Sequence, residues 1–296
     1  MWFKNLLFYR LPAGWNVTST QLEASLNKHP LQPCGSQDIV SSGWVSPRGD
    51  EVLLHAIERQ YLIAFGVESR LLPTSVVRQE AEARAETLAE RMGYRPGRKQ
   101  MKELHEQITQ ELLPRAFTCR RRTWAWIDPV DGWLGIDTSS AARAEEVLEC
   151  LRRTLDDFPL KLVRTTRSPE SVMADWLAGE APAGFTIDQD CELRSISEEK
   201  STVRYARHPL DGSEIRNHLA AGKLPTRLAL TFNDRMSFVL TDKLELKRLD
   251  FLDTVREQSG SGDDADALFD AEFALMTGEL ARLLPALIEA LGGEVS

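Results

Sequence analysis

Residues 74–113 contain no strand-like run, although strand-like segments crowd the chain on both sides of them. Ala, Glu, Arg, Leu and Gln, all good helix formers, dominate the block, so the fold must carry a helical insertion between two parts of a sheet. Two helices are predicted, from about Ser75 to Met92 with Gly93 as cap, and from Arg98 to Leu113 with Pro114 as stop. Pro96-Gly97 supplies the turn between them, and an antiparallel hairpin is the simplest product. The apolar stripe of Val76, Val77, Leu88 and Met92 is thin, so the hairpin should project from the body and need a partner surface.

Ahead of the block, the aromatic-rich stretch from Trp2 to Leu11 stops at Pro12, as a buried or central strand would. Thr18 to Leu26 reads as a short helix with Thr20 as its cap and Leu22 and Leu26 four apart. Trp44-Val45, Glu51 to Ala56 and Tyr61 to Val67 have the pattern of a β-meander. Beyond the block, Trp124 to Ile127 and Trp133 to Ile136 flank a turn at 128–132 and should rejoin this first sheet. A helix from Ser140 to Leu155 and a short strand from Phe158 to Val163 complete the half.

The second half opens with a helix from Ser168-Pro169 through Leu177, then strands at 184–187 and 201–208. A capped helix from Ser213 to Ala221, ended by Gly222, precedes a hairpin of Thr226 to Phe232 and Met236 to Thr241 around Asn233-Asp234. Leu244 to Leu249 continues that sheet, Gly260 to Asp264 reads as a flexible acidic loop, and from about Asp266 the chain is helical to Gly292-Gly293, with a kink at Pro285. Helices appended to antiparallel pairs give an α+β fold, not a doubly wound one.

Charge is unevenly spread. The chain totals −9, yet residues 91–122 carry nine basic against three acidic side chains, a net of +6, whereas 251–296 carry two against ten, a net of −8. A basic zone suits phosphate and an acidic one repels it. Cys34, Cys119, Cys150 and Cys191 form no CxxC pair, which argues for reduced thiols over a zinc ribbon or disulfide framework. No apolar run approaches the 18 or so residues that span a bilayer, and a cytosolic protein is expected.

Motifs with enzymatic meaning fall short. His105-Glu106 opens like a zinc-protease helix, but Thr109 stands where the second ligand belongs, and a solvated helix pair is the simpler reading. Gly260-Ser261-Gly262 follows no strand, precedes no Lys and meets Asp263 and Asp264, which would repel phosphate. The acidic cluster from Asp263 lacks the Gly and Glu of a calcium loop, and the five histidines define no ligand spacing. What remains is Arg120-Arg121-Arg122, next to Trp124 and Trp126, with the basic helices before it: guanidinium groups pair bidentately with phosphate and make sequence-blind backbone contacts. A merely solvated basic face would have the same composition.

Five segments in order resemble the RdgC family of bacterial nucleoid proteins: Trp2-Phe3-Lys4-Asn5-Leu6, Pro33-Cys34-Gly35-Ser36-Gln37-Asp38, Leu112-Leu113-Pro114-Arg115-Ala116-Phe117, Trp126-Ile127-Asp128 and Leu275-Met276-Thr277-Gly278-Glu279-Leu280. The resemblance implies a ring-shaped homodimer that passes duplex DNA through a positively lined hole without sequence preference and antagonises RecA, with no enzymatic activity and no cofactor. It implies a central α/β body (1–73 and 117–167), a helical tip (74–116) and a base (168–296), in a cytoplasmic, nucleoid-associated protein. Phe117 matches a subunit-contact position, although an ordinary core Phe would fit the sequence too. Arg207 and His208 match a basic-then-polar pair that reaches DNA at the ring opening, His208 being a departure. The expected DNA-contacting set is therefore Arg98, Lys99, Lys102, Arg115, Arg120, Arg121, Arg122, Arg207 and His208. Two other readings compete: a protein–protein scaffold whose basic tip binds an acidic partner, and a metal-dependent nuclease.

Overall fold

A computed structural model describes residues 1–195, 201–260 and 264–295, so most of the expected acidic loop lies outside the described residues. In chain order the first half contains β1 (Leu7–Arg10), α1 (Ser19–Leu26), β2 (Val40–Val45), β3 (Leu54–Ile57), β4 (Gln60–Arg70), α2 (Thr74–Met92), α3 (Arg98–Leu112), β5 (Thr118–Asp128), β6 (Trp133–Ile136) and α4 (Ala141–Thr154). The second contains α5 (Pro169–Ala178), β7 (Phe185–Ser195), β8 (Thr202–Tyr205), α6 (Ser213–Ala220), β9 (Lys223–Phe232), β10 (Met236–Thr241), β11 (Leu246–Phe251), α7 (Asp253–Arg256) and α8 (Ala265–Ala290). All ladders are antiparallel, in two sheets ordered β1-β6-β5-β4-β2, with β3 also on β4, and β11-β10-β9-β7-β8. The fold is α+β.

The first sheet is covered on both faces, which is why β4 is buried continuously from Tyr61 to Glu68 instead of alternating. Ile63, Phe65 and Val67 pack with Leu22 and Leu26 of α1 and Leu148 and Leu151 of α4. Leu62 and Trp126, on the other face, join the larger core of the second half. There the fully buried Phe273, Met276, Leu280, Leu283, Leu284 and Leu287 of α8 meet the inner faces of β9 and β10, and α8 runs as one helix past Pro285. A bridge from Leu6 to Leu246 joins the two sheets, so the core is shared.

Several local expectations need correction. The aromatic opening forms a four-residue strand at the end of its sheet, not in the centre, because only β6 pairs with it as a ladder. Residues 158–163 form no strand; Lys161 makes a single bridge to Arg10. Thr18, not Thr20, caps α1: its hydroxyl accepts from the Gln21 N–H at 3.3 Å while the Gln21 side chain accepts from the Thr18 N–H at 3.1 Å, a capping box. β8 stops at Tyr205, leaving Arg207 and His208 in the turn that follows, and α6 begins at Ser213 with Gly212 at the cap position and no side-chain cap.

The helical hairpin grows out of the first sheet where β4 and β5 pair, Arg70 opposite Thr118. Gly93, at φ 78°, ends α2 in the left-handed region that glycine enters without strain. Its core is small: Val77, Ala81, Leu104 and Ile108, with Leu88, Met101 and Leu112 around them. Val76 and Met92, expected in the stripe, instead face solvent. Arg84 cross-links the pair, 2.9 Å from Glu80 and 2.7 Å from Glu111.

Candidate nucleic-acid interface

Strand periodicity governs the arginine run. Successive side chains of a strand point to opposite faces, so Arg120 and Arg122 of β5 share one face of the first sheet and Arg121 takes the other. Arg121 pairs with Glu146 of α4. Arg120 lies opposite Glu68 of β4 and its Nε donates to Glu68 Oε2 at 2.5 Å. The Glu68 side chain is buried and its other oxygen accepts from the Cys34 N–H at 2.7 Å. That backbone donor, followed by Arg120, holds its carboxyl below the ordinary glutamate range. Arg122 lies over the Trp124 ring, 4.7 Å from its centroid, and donates to the Ser46 carbonyl at 3.2 Å. Three adjacent arginines thus have three different settings. Arg120 keeps most of its side chain in solvent despite its partner, and Arg122 is also exposed.

Arg98, Lys99 and Lys102 occupy the start of α3 and are exposed; Lys99 and Lys102 lie 3.9 and 3.7 Å from Glu103 and Glu106 one turn on, pairs that bind loosely in water. Arg115 is exposed at the other end of the hairpin. Arg207 and His208 sit in the second half, beside the second sheet. The Arg207 N–H donates to Asp190 at 2.9 Å; His208 Nδ1 lies 2.7 Å from the Pro209 carbonyl and its Nε2 3.3 Å from Glu214. The basic residues therefore form three groups, on α3, on β5 with the turn before it, and after β8, and no hydrogen bond or ion pair joins one group to another among the described residues.

Phe117 is 83% exposed, which removes the reading of an ordinary core residue. Its backbone is nevertheless fixed. The Leu71 N–H donates to the Phe117 carbonyl at 2.7 Å, and Arg70 spans the base of the hairpin, donating to the carbonyls of Leu113 at 3.1 Å, Ala116 at 3.2 Å and Gly35 at 3.0 Å. Near this base opens a largely apolar cavity of about 710 Å³, lined by Ile39, Leu72, Val77 and Leu113 with Arg70 and His105. Arg70 and Glu68 belong to no motif in the sequence. Their only signal was a charged residue at the end of an apolar strand, which fits a solvated strand end equally well.

Among the described residues no three His, Cys, Asp or Glu side chains converge as metal ligands, and no helix is long and apolar enough to cross a membrane. Cys150 and Cys191 are buried, and burial pushes the Cys191 thiol up to about 12.

Fold and surface together define a two-sheet α+β protein that presents exposed arginines and an exposed aromatic on a fixed backbone. The family model described as "Putative exonuclease, RdgC" matches residues 1–294. The chain is 56% identical over 300 residues to the recombination-associated protein RdgC of Dechloromonas aromatica (strain RCB), covering all of this chain and 99% of that protein. It is 49% identical to the protein of that name from Herminiimonas arsenicoxydans and 52% identical to the one from Cupriavidus pinatubonensis (strain JMP 134 / LMG 1197), each over 296 residues, 99% of this chain and 99% of the relative. The chain belongs to the RdgC family.

Proposed function

We propose that this chain is a recombination-associated DNA clamp: a non-catalytic homodimer that holds duplex DNA without reading its sequence and limits RecA by occupying its substrate. The carrying observation is where the exposed cations stand. While Arg98, Lys99 and Lys102 stand at the start of α3, Arg120 and Arg122 emerge from a strand and Arg207 from a turn, so these three lie on no helix shaped to enter a groove. Contacts of that kind go to phosphate, which is the same at every base pair. The family's name for its relatives, recombination-associated protein, supports a role on DNA.

The division into body (1–73 and 117–167), tip (74–116) and base (168–296) belongs to this reading. The hairpin has its own small core, and Phe117, the first body residue after it, is exposed, with an apolar cavity near the hairpin's base, which suits an isologous contact at the tips. A nuclease is the reading that the family description favours.

A salt titration of two unrelated fluorescent duplexes tests the proposal. The expected result is equal affinity for both, with each true phosphate contact contributing about −0.9 to the slope of log K against log salt. A strong preference for one sequence would overturn the non-specific clamp, and shortened strands after incubation with magnesium would establish the nuclease. Phe117→Glu, followed by sedimentation at several concentrations, should shift the protein toward monomer; an unchanged equilibrium would remove Phe117 from the subunit contact.

A further inference from the structure

The cavity of about 710 Å³ at the base of the hairpin has two cations in its wall, Arg70 and Arg78, and no Asp or Glu. Cavities elsewhere are lined by carboxylates: Glu82 and Glu86 in one of about 400 Å³ near the hairpin's turn, Asp131 and Glu294 in one of about 420 Å³ beside Arg10. In a chain of net charge −9, a wall with charge of one sign, and that sign positive, sets this cavity apart. Its volume lies in the range of small-molecule sites, and Ile39, Leu72, Val77 and Leu113 give it the apolar surface such sites share.

The start of α2 opens on the same space, with Thr74 and Ser75 of its first turn in the wall. Pro73 stands at the cap position without a side-chain acceptor, and the first turn holds no acidic residue. The Val76 and Val77 N–H groups donate to the Pro73 carbonyl at 3.0 and 3.4 Å, whereas those of Thr74 and Ser75 have no protein acceptor among the described residues. Two orphan donors and the positive end of a 19-residue helix therefore stand at the cavity. Arg78 lies one turn further along α2, on the Thr74 side; its partner Glu82 is 3.9 Å away and 71% of its side chain is exposed, so its guanidinium fork can take a second partner. Arg70 adds a buried Nε with no hydrogen-bond partner among the described residues, the rest of its fork being taken up by backbone carbonyls.

A strongly hydrated anion such as free phosphate would satisfy these donors but leave the apolar wall uncovered. A purely apolar occupant, such as an aromatic side chain from a second copy, would cover that wall but leave the donors unpaired. One molecule with an anionic head and an apolar body does both. We propose that this cavity binds a small amphipathic carboxylate, its head on the Thr74 and Ser75 N–H groups and the Arg78 fork, its chain against Ile39, Leu72, Val77 and Leu113. A carboxylate matches the guanidinium fork through two parallel hydrogen bonds and carries the charge that a helix N-terminus favours. The inference does not depend on the duplex-DNA reading, and failure of DNA binding would leave it standing.

Calorimetric titration of the full chain with decanoate, below micelle-forming concentrations, tests the site, with octanoate, decanol and inorganic phosphate for comparison. Decanoate should bind once per chain, octanoate about tenfold more weakly for the two missing methylenes, and decanol and phosphate weaker than decanoate by about tenfold or more. Hydrogen exchange at residues 74–78 should slow when decanoate binds and stay unchanged in α4. Ser75→Asp puts a carboxylate in the first turn of α2, where the helix favours it, so the unfolding midpoint should hold or rise while decanoate binding weakens by about tenfold or more. Arg78→Ala should weaken it about tenfold, and Lys99→Ala, which removes an exposed cation outside the wall, should not change it. Decanol binding as tightly as decanoate, no slowing at residues 74–78, or an equal loss in Lys99→Ala would each overturn the site. If decanoate binds the Phe117→Glu protein and not the unaltered one, the cavity belongs to the subunit contact and the ligand site is overturned as well.

Discussion

The two sheets are built from the same antiparallel ladders but are used differently. The first lies between two layers, the α1 and α4 side and the α8 side, and its central strand β4 is buried along eight consecutive residues from Tyr61 to Glu68. The second gives one face to the core and leaves the other open, so β10 alternates, with Met236, Phe238 and Leu240 buried and Ser237 and Val239 half-buried. A strand covered on both sides has no room for an uncompensated charge: where β4 does bury one, at Glu68, Arg120 and the Cys34 N–H hold it. A strand covered on one side can display arginine every second residue at little cost. The first sheet is therefore a scaffold, and exposed charge in this chain collects at the scaffold's ends and on the second sheet.

Trp126→Ala should produce the largest effect. Trp126 is fully buried in the core shared by both sheets, and its indole N–H donates to Gln60 at 2.6 Å. A loss of about 3–5 kcal/mol in denaturant unfolding, with both sheets melting in one transition, is expected. Two separate transitions would show that the core is not shared.

Ile108→Ala comes next. It removes a fully buried residue from the small core of the hairpin, at a cost of about 2 kcal/mol or more. Hydrogen exchange should quicken in α2 and α3 and stay slow at Leu62 to Phe65 of β4. Equal acceleration in the sheet would mean that the hairpin does not open independently.

Glu68→Gln probes the one buried charge of β4 by its pH dependence. The folded carboxyl lies below its unfolded value of about 4.3, so its stabilisation is fully present above that pH and is lost as pH falls through the lower, folded value. The variant should be less stable at pH 7, and the gap to the unaltered protein should close below about pH 4. A gap that is constant from pH 7 to pH 3 would remove the charge from the explanation.

Arg227→Ala should have the smallest effect, within about 0.5 kcal/mol of unfolding free energy, because its half-exposed side chain meets Glu192 only at 4.0 Å. A large loss would mean that the open face contributes to the fold as the first sheet's faces do.

Much of this was legible in the residues. Gly93, Pro96-Gly97 and the helix-forming block gave the hairpin and its turn, and Asn233-Asp234, both at positive φ, gave the β9–β10 turn, because such signals act within a few residues. The cap of α1 was misplaced by two residues because Thr18 and Thr20 look alike until Gln21 is seen to reciprocate. The candidate site was less legible. Arg120-Arg121-Arg122 reads as one patch, but the strand splits it, and Glu146 and Glu68, 25 and 52 residues away, take up two of its members.

The class of fold, the helical insertion, the uneven charge and, through five segments spread along the chain, the family can all be read from the residues. The folded chain alone places Phe117 in solvent, α8 in a core shared by both sheets, and Arg204, Arg227 and Arg248 around Asp190 and Glu192. The physical reason is range. Propensity, capping and turn chemistry are settled within a few residues of chain, whereas which charges meet depends on strand register and on one bulge at Arg248, which set which side chains share a face across segments far apart in sequence.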